Sequence, residues 1–439
     1  MSLVHENIAA NSQESFDPIA YINTPRWNTV SPGLTRITEL LKGLGNPQDQ
    51  LKFVHVAGTN GKGSTCAMIA QILQEAHYSV GLFTSPYLVH FEERICIDGI
   101  PIPYERLYDV TQKVRLVADS MDDHPTEFEL MTAVAFLYFA EEHCDIVVAE
   151  VGLGGRLDST NCITSVEVSV IANISYDHKA ILGNTLGEIA GEKAGIIKLC
   201  IPVVSARQPK EAFDVIAARA QQMNAPLGVV DETLLEGSNE SFSYRNRQNL
   251  SISMLARYQI HNAALVLDAI DVLCDHGWDI PEEAIYRGLK VTCWHGRFER
   301  LHTNPDFIID GAHNQEGVDA LIDSLQALYD KKIIFIIGVM ADKDYPEMLE
   351  KIIPLGKAFI AVEPNNPRAL STYKLARTIR FAGQDILGCS ACIQPYEAKS
   401  IEDGVRQAFS IAQKDDVICA CGSLYYLGDV VKALHNMEI

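Results

Sequence analysis

The sequence predicts two successive α/β domains, a larger one followed by a smaller one, each built on a mostly parallel sheet. Three observations carry that expectation. Short runs rich in β-branched residues alternate with amphipathic segments of helical period, as in strand–helix–strand units. The strand segments are continuously apolar instead of alternating, which suits a parallel sheet covered on both faces. The pattern then restarts near Val291 to Glu299, in a chain of 439 residues that is too long for one ordinary core. The first domain is therefore expected over residues 1–295 and the second over 296–439.

The elements follow in order. Leu51 to Ala57 reads as an apolar strand ending at a glycine, and Ser64 to Ala76 as a helix with Ala67, Ile69, Ala70, Ile72 and Leu73 among its apolar positions. Val80 to Thr84 is the next strand. An irregular stretch then leads to a helix over Glu129 to Cys144. Asp145 to Val151, Val168 to Ile174 and Pro202 to Ser205 read as further strands. The segment from Asp231 to Leu255 carries polar alternation and strand-like pieces at Phe242 to Tyr244 and Ile252 to Leu255, a small antiparallel appendage. Helices follow at Ile260 to Cys274 and Pro281 to Leu289. In the second domain the strands are Phe307 to Asp310, Ile333 to Gly338, Ala358 to Val362 and Val417 to Ala420, with a helix over Gly317 to Tyr329. The first dozen residues read as frayed.

Composition narrows the function. Acidic residues number 57 against 36 basic ones, a formal net charge of −21, which disfavours nucleic acid as a partner because phosphate neutralisation needs a basic face. Small anions remain possible ligands where donors or a cation cluster locally. No run approaches the roughly 18 apolar residues of a membrane helix. No basic start with an apolar run marks a secretory signal either, so a cytoplasmic protein is expected. The 11 cysteines read as reduced thiols. Cys389 and Cys392 have Cys-x-x-Cys spacing. Cys419 and Cys421, two apart on an apolar strand, are expected to point into one core layer.

The strongest local signal is Gly58-Thr59-Asn60-Gly61-Lys62-Gly63-Ser64. A buried strand feeds a glycine turn, which feeds a helix. Glycines let backbone N–H groups converge on phosphate oxygens, the helix N-terminus adds partial positive charge, and Lys62 adds a full one. In the usual loop a Ser or Thr hydroxyl directly after the lysine binds magnesium. Here Gly63 stands in that place, so the hydroxyl is expected from elsewhere.

Other polar groups fall at the ends of the expected strands, where doubly wound sheets hold ligands. They are Thr84 to Leu88, Glu150 to Asn161, and Asp177-His178 followed by Glu192 to Gly195. Glu150, a carboxylate at a strand end beside a phosphate loop, is the expected magnesium partner. In the second domain Asp310 to Asn314 and Gly422 to Tyr425 end strands, and Arg297 lies at the domain junction. A nucleotide between the domains would meet these residues on closure.

Together these strings resemble the folylpolyglutamate synthase and dihydrofolate synthase family, relatives of the Mur cell-wall ligases. The resemblance runs from Pro32-Gly33-Leu34 through Gly422-Ser423-Leu424-Tyr425, and GTNGKGS, EVGLGGRLDSTN, EKAGIIK and DGAHN are its most specific strings. It implies a phosphate-loop ATPase domain like the Mur central domain, followed by a smaller Rossmann-like α/β domain. It implies that Thr59, Asn60, Gly61, Lys62, Gly63 and Ser64 hold the ATP phosphates, and that Asn262, Arg297 and Asp310 contact the nucleotide. Ser85, Glu150 and His178 would be ligands of two magnesium ions, with Ser85 supplying the displaced hydroxyl. Lys193 is similar to a lysine that family members carbamylate, which turns its amine into a carboxylate-like ligand. His313 and Ser423 match positions near the incoming glutamate. Val30, Ser31 and Pro32, Thr126, Glu127, Phe128 and Glu129, and Leu157, Asp158 and Ser159 match the pterin-side pocket.

The implied reaction activates a carboxylate as an acyl phosphate, which the amine of glutamate then attacks. Lys62, His178, Lys193, Arg297 and His313 would carry the chemistry. Dihydropteroate, folates and L-glutamate are the implied substrates, with no membrane or nucleic-acid partner and a monomer as the expected state. The placing of Asp158 against the pterin favours an enzyme that makes dihydrofolate as well as extending folates. Tyr87, Tyr176, His295 and Gln315 depart from the family pattern, where histidine, leucine, proline and proline are usual, and none is a proposed ligand. A Mur cell-wall ligase is disfavoured because only about 50 residues precede the phosphate-loop strand. A small-molecule kinase is disfavoured by the second domain's own polar strand ends.

Overall fold

The computed structural model describes residues 16–24, 32–387 and 393–437. An eight-stranded sheet carries the strand order β4-β3-β2-β5-β1-β6-β7-β8. Its strands are β1 (Phe53–Ala57), β2 (Val80–Phe83), β3 (Ile95–Ile97), β4 (Ile100–Pro101), β5 (Ile146–Glu150), β6 (Val166–Ile171), β7 (Val203–Ser205) and β8 (Leu227–Val229). Parallel pairing runs from β2 through β8, and β3 and β4 form an antiparallel edge.

The central strand shows why the apolar runs are continuous. Val54 and Val56 point into one core with Ile69 and Leu73 of the helix Lys62–Glu75 and Leu267 of the helix Gln259–Asp275. Phe53 points the opposite way, into a second core with Phe83, Val147 and Phe136 of the helix Glu127–Glu141. The Phe53 and Phe136 rings meet edge to face at 5.1 Å. Burying a side chain of that size contributes about 1.5–3 kcal/mol, so both faces of β1 are held.

The antiparallel appendage exists, with strands β9 (Leu235–Ser238), β10 (Ser241–Tyr244) and β11 (Arg247–Leu250). It docks through Tyr244, whose hydroxyl donates to Asp268 at 2.9 Å, and Arg245, which donates to the same carboxylate at 2.7 Å. Ile252 to Leu255 forms no strand and lies instead against the cores. The stretch before Glu129 is more regular than its sequence suggests. It holds the β3–β4 hairpin, turned by Asp98 and Gly99 at φ 51° and 76°, and a 15-residue helix, Tyr104–Ala118. Two central residues at positive φ are what a tight hairpin needs, and Asp-Gly is its usual sequence.

The second sheet has the order β12-β13-β17-β14-β15-β16, with strands β12 (Glu299–His302), β13 (Asp306–Ile309), β14 (Ile333–Ile337), β15 (Gly356–Ala361), β16 (Tyr396–Glu397) and β17 (Val417–Cys421). It is parallel except for β12. Its two faces also belong to different cores, with Phe335 and Ile337 on one side and Ile334 and Ile336 on the other. Cys419 and Cys421 are both buried free thiols on the Phe335 side, in one layer. Cys389 and Cys392 lie outside the described residues. Among the described residues no helix is long and apolar enough to cross a membrane.

Candidate active site

The carboxyl ends of β1, β2, β5 and β6 open toward loops of the second sheet, and the polar residues singled out in the sequence gather there. The helix after β1 begins at Lys62, two residues earlier than its apolar pattern suggests, because Gly61 caps it at φ 86°. A side chain at Gly61 would be strained there and would also lie 2.6 Å from Asn262 Oδ1. The first helical bond runs from Thr65 N to Gly61 O at 2.9 Å, which leaves the preceding amides at the helix end without helical acceptors. The loop is also tied down from behind: Thr59 N and Asn60 N both donate to the Asn173 carbonyl, at 2.7 and 3.3 Å. Lys62 Nζ curls back onto the Gly58 and Thr59 carbonyls, each at 3.1 Å.

The odd spacing of the loop has a packing cause. A Cβ at Gly63 would lie 2.7 Å from the Trp294 ring nitrogen, so no serine fits where the usual loop has one. Ser64 is buried and its hydroxyl accepts from Gln259 at 3.2 Å. Ser85, two residues after β2, donates its backbone N–H to Glu150 Oε2 at 3.1 Å, which sets its backbone beside the carboxylate at the end of β5. Burial pushes the Glu150 carboxyl above its usual range, opposed by the Lys62 charge, the Ser85 N–H and Arg297.

His178 and Lys193 are held differently. His178 stands at φ 49°, and burial lowers its pKa to about 4 against the attraction of Asp177, leaving a neutral imidazole at pH 7. Among the described residues no hydrogen bond or ion pair joins His178 to Glu150. Its nearest charged partner is Asp177, at 3.9 Å. Lys193 is buried with Nζ donating to Gly58 O at 2.8 Å. Burial first, and the Lys62 charge second, bring its amine down to about 7.

Across the cleft, His313 sets Nε2 against Asp177 Oδ2 at 3.2 Å and Nδ1 against Gly311 O at 2.8 Å, so both ring nitrogens face acceptor oxygens. Asp177 also meets Lys343 Nζ, Asn314 Nδ2 at 3.4 Å and the His178 N–H at 2.8 Å. Burial raises the Asp177 carboxyl, but His313 and Lys343 outweigh it and hold it far below the usual carboxylate range. Asn60 joins the same bridge, donating to Glu316 at 2.9 Å and exchanging amide bonds with Asn314 at 3.3 and 3.0 Å. Ser423 is buried, and its hydroxyl accepts from Tyr425 N at 3.2 Å. Arg297 presses its guanidinium against Gly311, where a Cβ would lie 2.1 Å from it, and its charge acts on both Glu150 and Asp310.

Three of the carboxylates expected in the site have oxygens taken up by groups of the protein itself. Asp310 accepts from Phe298 N, Ala312 N and the Tyr258 hydroxyl at 2.8, 2.7 and 3.3 Å, pinning the junction more than offering an open acceptor to nucleotide. Asp158 folds onto its own loop, accepting from Leu153 N at 2.8 Å and from Thr160 N and Oγ1 at 3.0 and 2.6 Å. Glu129 closes a capping box with Thr126 and pairs with Arg36 Nε at 3.0 Å. Phe128 packs its ring directly on Gly152, while Glu127 and Leu157 are half-buried, Ser159 is buried and Pro32 is exposed. Val30 and Ser31 lie outside the described residues.

Glu316 and Lys343 were not foreseen as site residues, and Asp177 and Asn314 were singled out at strand ends without a role. The strand-end rule contained the signal: Asp177 follows β6, Asn314 follows β13 and Lys343 follows β14. Among the described residues no three His, Cys, Asp or Glu side chains form a metal cluster.

Two family models match the chain, a Mur ligase middle domain over residues 56–270 and a Mur ligase glutamate ligase domain over residues 296–424. The chain is 38% identical over 422 residues to the dihydrofolate synthase/folylpolyglutamate synthase of Bacillus subtilis, covering 92% of this chain and 95% of the relative. It is 33% identical over 430 residues to the dihydrofolate synthetase of Saccharomyces cerevisiae, covering 93% and 99%. Among solved structures, E. coli FolC in complex with DHPP and ADP superposes with a TM-score of 0.84 at 27% identity, covering 96% of this chain and 97% of that one. The chain therefore belongs to the Mur ligases, and within them to the dihydrofolate synthase/folylpolyglutamate synthase family. It is an ATP-dependent ligase that forms amide bonds.

Proposed function

We propose that the chain joins L-glutamate to dihydropteroate, forming dihydrofolate, and to the γ-carboxylate of folates, each through an acyl phosphate. One observation supports this above the others. The phosphate loop and buried Glu150 stand on one side, His313 and Asn314 stand on the other, and Asp177 and Asn60 tie the two sides together. A phosphoryl donor on the first side then faces an amine nucleophile on the second, so proximity supplies much of the acceleration. Lys62 and the helix N-terminus face the phosphates, and Arg297 joins them from the junction. Because both His313 nitrogens already face oxygens, His313 serves to orient the amine's surroundings more than to remove its proton.

Glu150 and Ser85 fit magnesium. Both offer oxygen, and Glu150 is a buried carboxylate with one N–H donor, which leaves lone pairs for a cation. Magnesium commonly binds through one or two protein carboxylates and substrate phosphates, and it would neutralise charge on the transferring phosphoryl. His178, with its pKa lowered to about 4 and its side chain 36% exposed, is available as the second ion's nitrogen donor. Lys193 fits carbamylation: with its pKa near 7, an uncharged amine is present to add carbon dioxide, losing one proton and gaining a carboxylate. Residues 1–295 and 296–439 act as the two domains, and the working enzyme is a cytoplasmic monomer.

The test is direct. Protein, ATP, magnesium, L-glutamate and dihydropteroate should give ADP and dihydrofolate in equal amounts. ADP formed at the same rate without glutamate sinks the ligase reading. Turnover of a reduced folate but not of dihydropteroate restricts the enzyme to polyglutamylation.

A further inference from the structure

Arg94 closes the short turn Phe91–Arg94, and its carbonyl accepts the Thr84 N–H at 3.0 Å, fixing it beside the end of β2. Its guanidinium lies 5.0 Å from the ring of Tyr87 and 5.6 Å from that of Phe91. Yet among the described residues it makes no hydrogen bond and no ion pair, and its Nε is shut off from solvent. That is unusual in a chain with 57 acidic residues. Arg36, Arg156, Arg245 and Arg247 all reach carboxylates within 3.0 Å. Burial lowers the Arg94 pKa, and Glu127, Tyr87, Tyr425 and Glu150 oppose that only from a distance.

Three of those neighbours locate it. Glu127 lies in the segment matched to the pterin side, Glu150 ends β5 beside the phosphate loop, and Tyr425 follows Ser423, which is matched to the glutamate side. An acceptor stretched from the pterin side toward the phosphates must place its carboxylate among them. We propose that Arg94 is the receptor for the carboxylate of the pteroate-type acceptor, a contact that positions the group to be phosphorylated; this rests on the function proposed above. A guanidinium presents a planar fork of N–H donors that matches a carboxylate. Two aromatic rings fix its plane and exclude water without using those donors. The nucleotide phosphates already face Lys62, the helix N-terminus and Arg297, which leaves Arg94 for the acceptor.

The contact is made to the ground-state carboxylate, so its loss should fall mainly on substrate binding. Calorimetric titration with pteroate and with its carboxamide reads this without turnover. The wild type should bind pteroate at least tenfold more tightly than the amide. Arg94→Gln should bind the two within about twofold of each other, and Arg94→Lys should fall between. An unchanged affinity for a non-hydrolysable ATP analogue reports that the variants are folded. In steady state, Arg94→Gln should raise the KM for dihydropteroate about tenfold or more, with kcat within about threefold. A full carboxylate preference in Arg94→Gln, or none in the wild type, overturns the assignment. So does a tenfold rise in the KM for L-glutamate with the pteroate preference intact, which would give the guanidinium to the other substrate. A wild type that makes no dihydrofolate refutes the proposed function, whereas the titration judges Arg94 on its own.

Discussion

Glu150 and Asp177 both stand at the carboxyl edge of the larger sheet, both carboxylates are largely out of solvent, and they are furnished in opposite ways. Glu150 ends β5 with one N–H donor, and burial raises its pKa. Asp177 follows β6 among His313, Lys343, Asn314 and the His178 amide, and its pKa is driven down. A buried charge must be paired or it is costly. Asp177 has its partners within the protein, and apart from the His178 amide they come from the second sheet's domain. Glu150 is left short of partners, the deficit that the proposed magnesium would make up. One carboxylate thus holds the walls of the cleft together, while the other is left with lone pairs open to a ligand.

That contrast can be broken most sharply by paired substitutions. Glu150→Gln keeps the shape and removes the charge. It should lower kcat about 10³-fold, the several kcal/mol that an anchored cation contributes at a transferring phosphoryl. Asp177→Asn should raise the KM for glutamate about tenfold and lower kcat less, because it loosens the tie between the walls and leaves the phosphate side intact. Steady-state kinetics on both variants decide the matter, and an Asp177→Asn defect as deep in kcat as that of Glu150→Gln would erase the distinction.

Lys193 tests the phosphate side further. Lys193→Ala should lose about 10²-fold in kcat and recover part of it in millimolar acetate or formate if a carbamate carboxylate is what was lost. Wild-type activity in that variant would remove Lys193 from the site.

The smallest effect concerns the support beneath both carboxylates. His55 lies in β1, fully buried, with Nε2 2.8 Å from Thr160 Oγ1, and burial lowers its pKa to about 3 from 6.5. The native state keeps it neutral, whereas the unfolded chain protonates it near pH 6.5. Its effect on stability is therefore absent above that pH and grows as pH falls toward 3, with the unfolded state binding the extra proton. His55→Asn should flatten the pH dependence of the unfolding free energy by about 1 kcal/mol per pH unit between pH 4 and 6. Urea titrations at several pH values measure the slope, and an unaltered slope would show that His55 is protonated in the native state.

The loop at Gly58 to Ser64 was legible because glycine, lysine and a following helical period are local signals, and the fold supplied the reason for its unusual spacing in Trp294 against Gly63. The helix Tyr104–Ala118 was less legible. It is separated from β2 by a hairpin whose strands have three and two residues, too short to register as an apolar run. The candidate ligands at strand ends were legible by position. Whether each carboxylate was free was not, since Asp158, Glu129 and Asp310 are claimed by backbone amides that loop closure brings to them.

The sequence by itself determined the two parallel sheets, the phosphate loop and the strand ends where polar groups collect, because these follow from the periodicity and backbone freedom of neighbouring residues. Only the tertiary structure decided which charges are paired. Asp177 and Lys343 stand 166 positions apart and meet, while the Arg94 guanidinium meets no carboxylate among the described residues. Pairing depends on which distant side chains arrive at one point, and no local pattern encodes that.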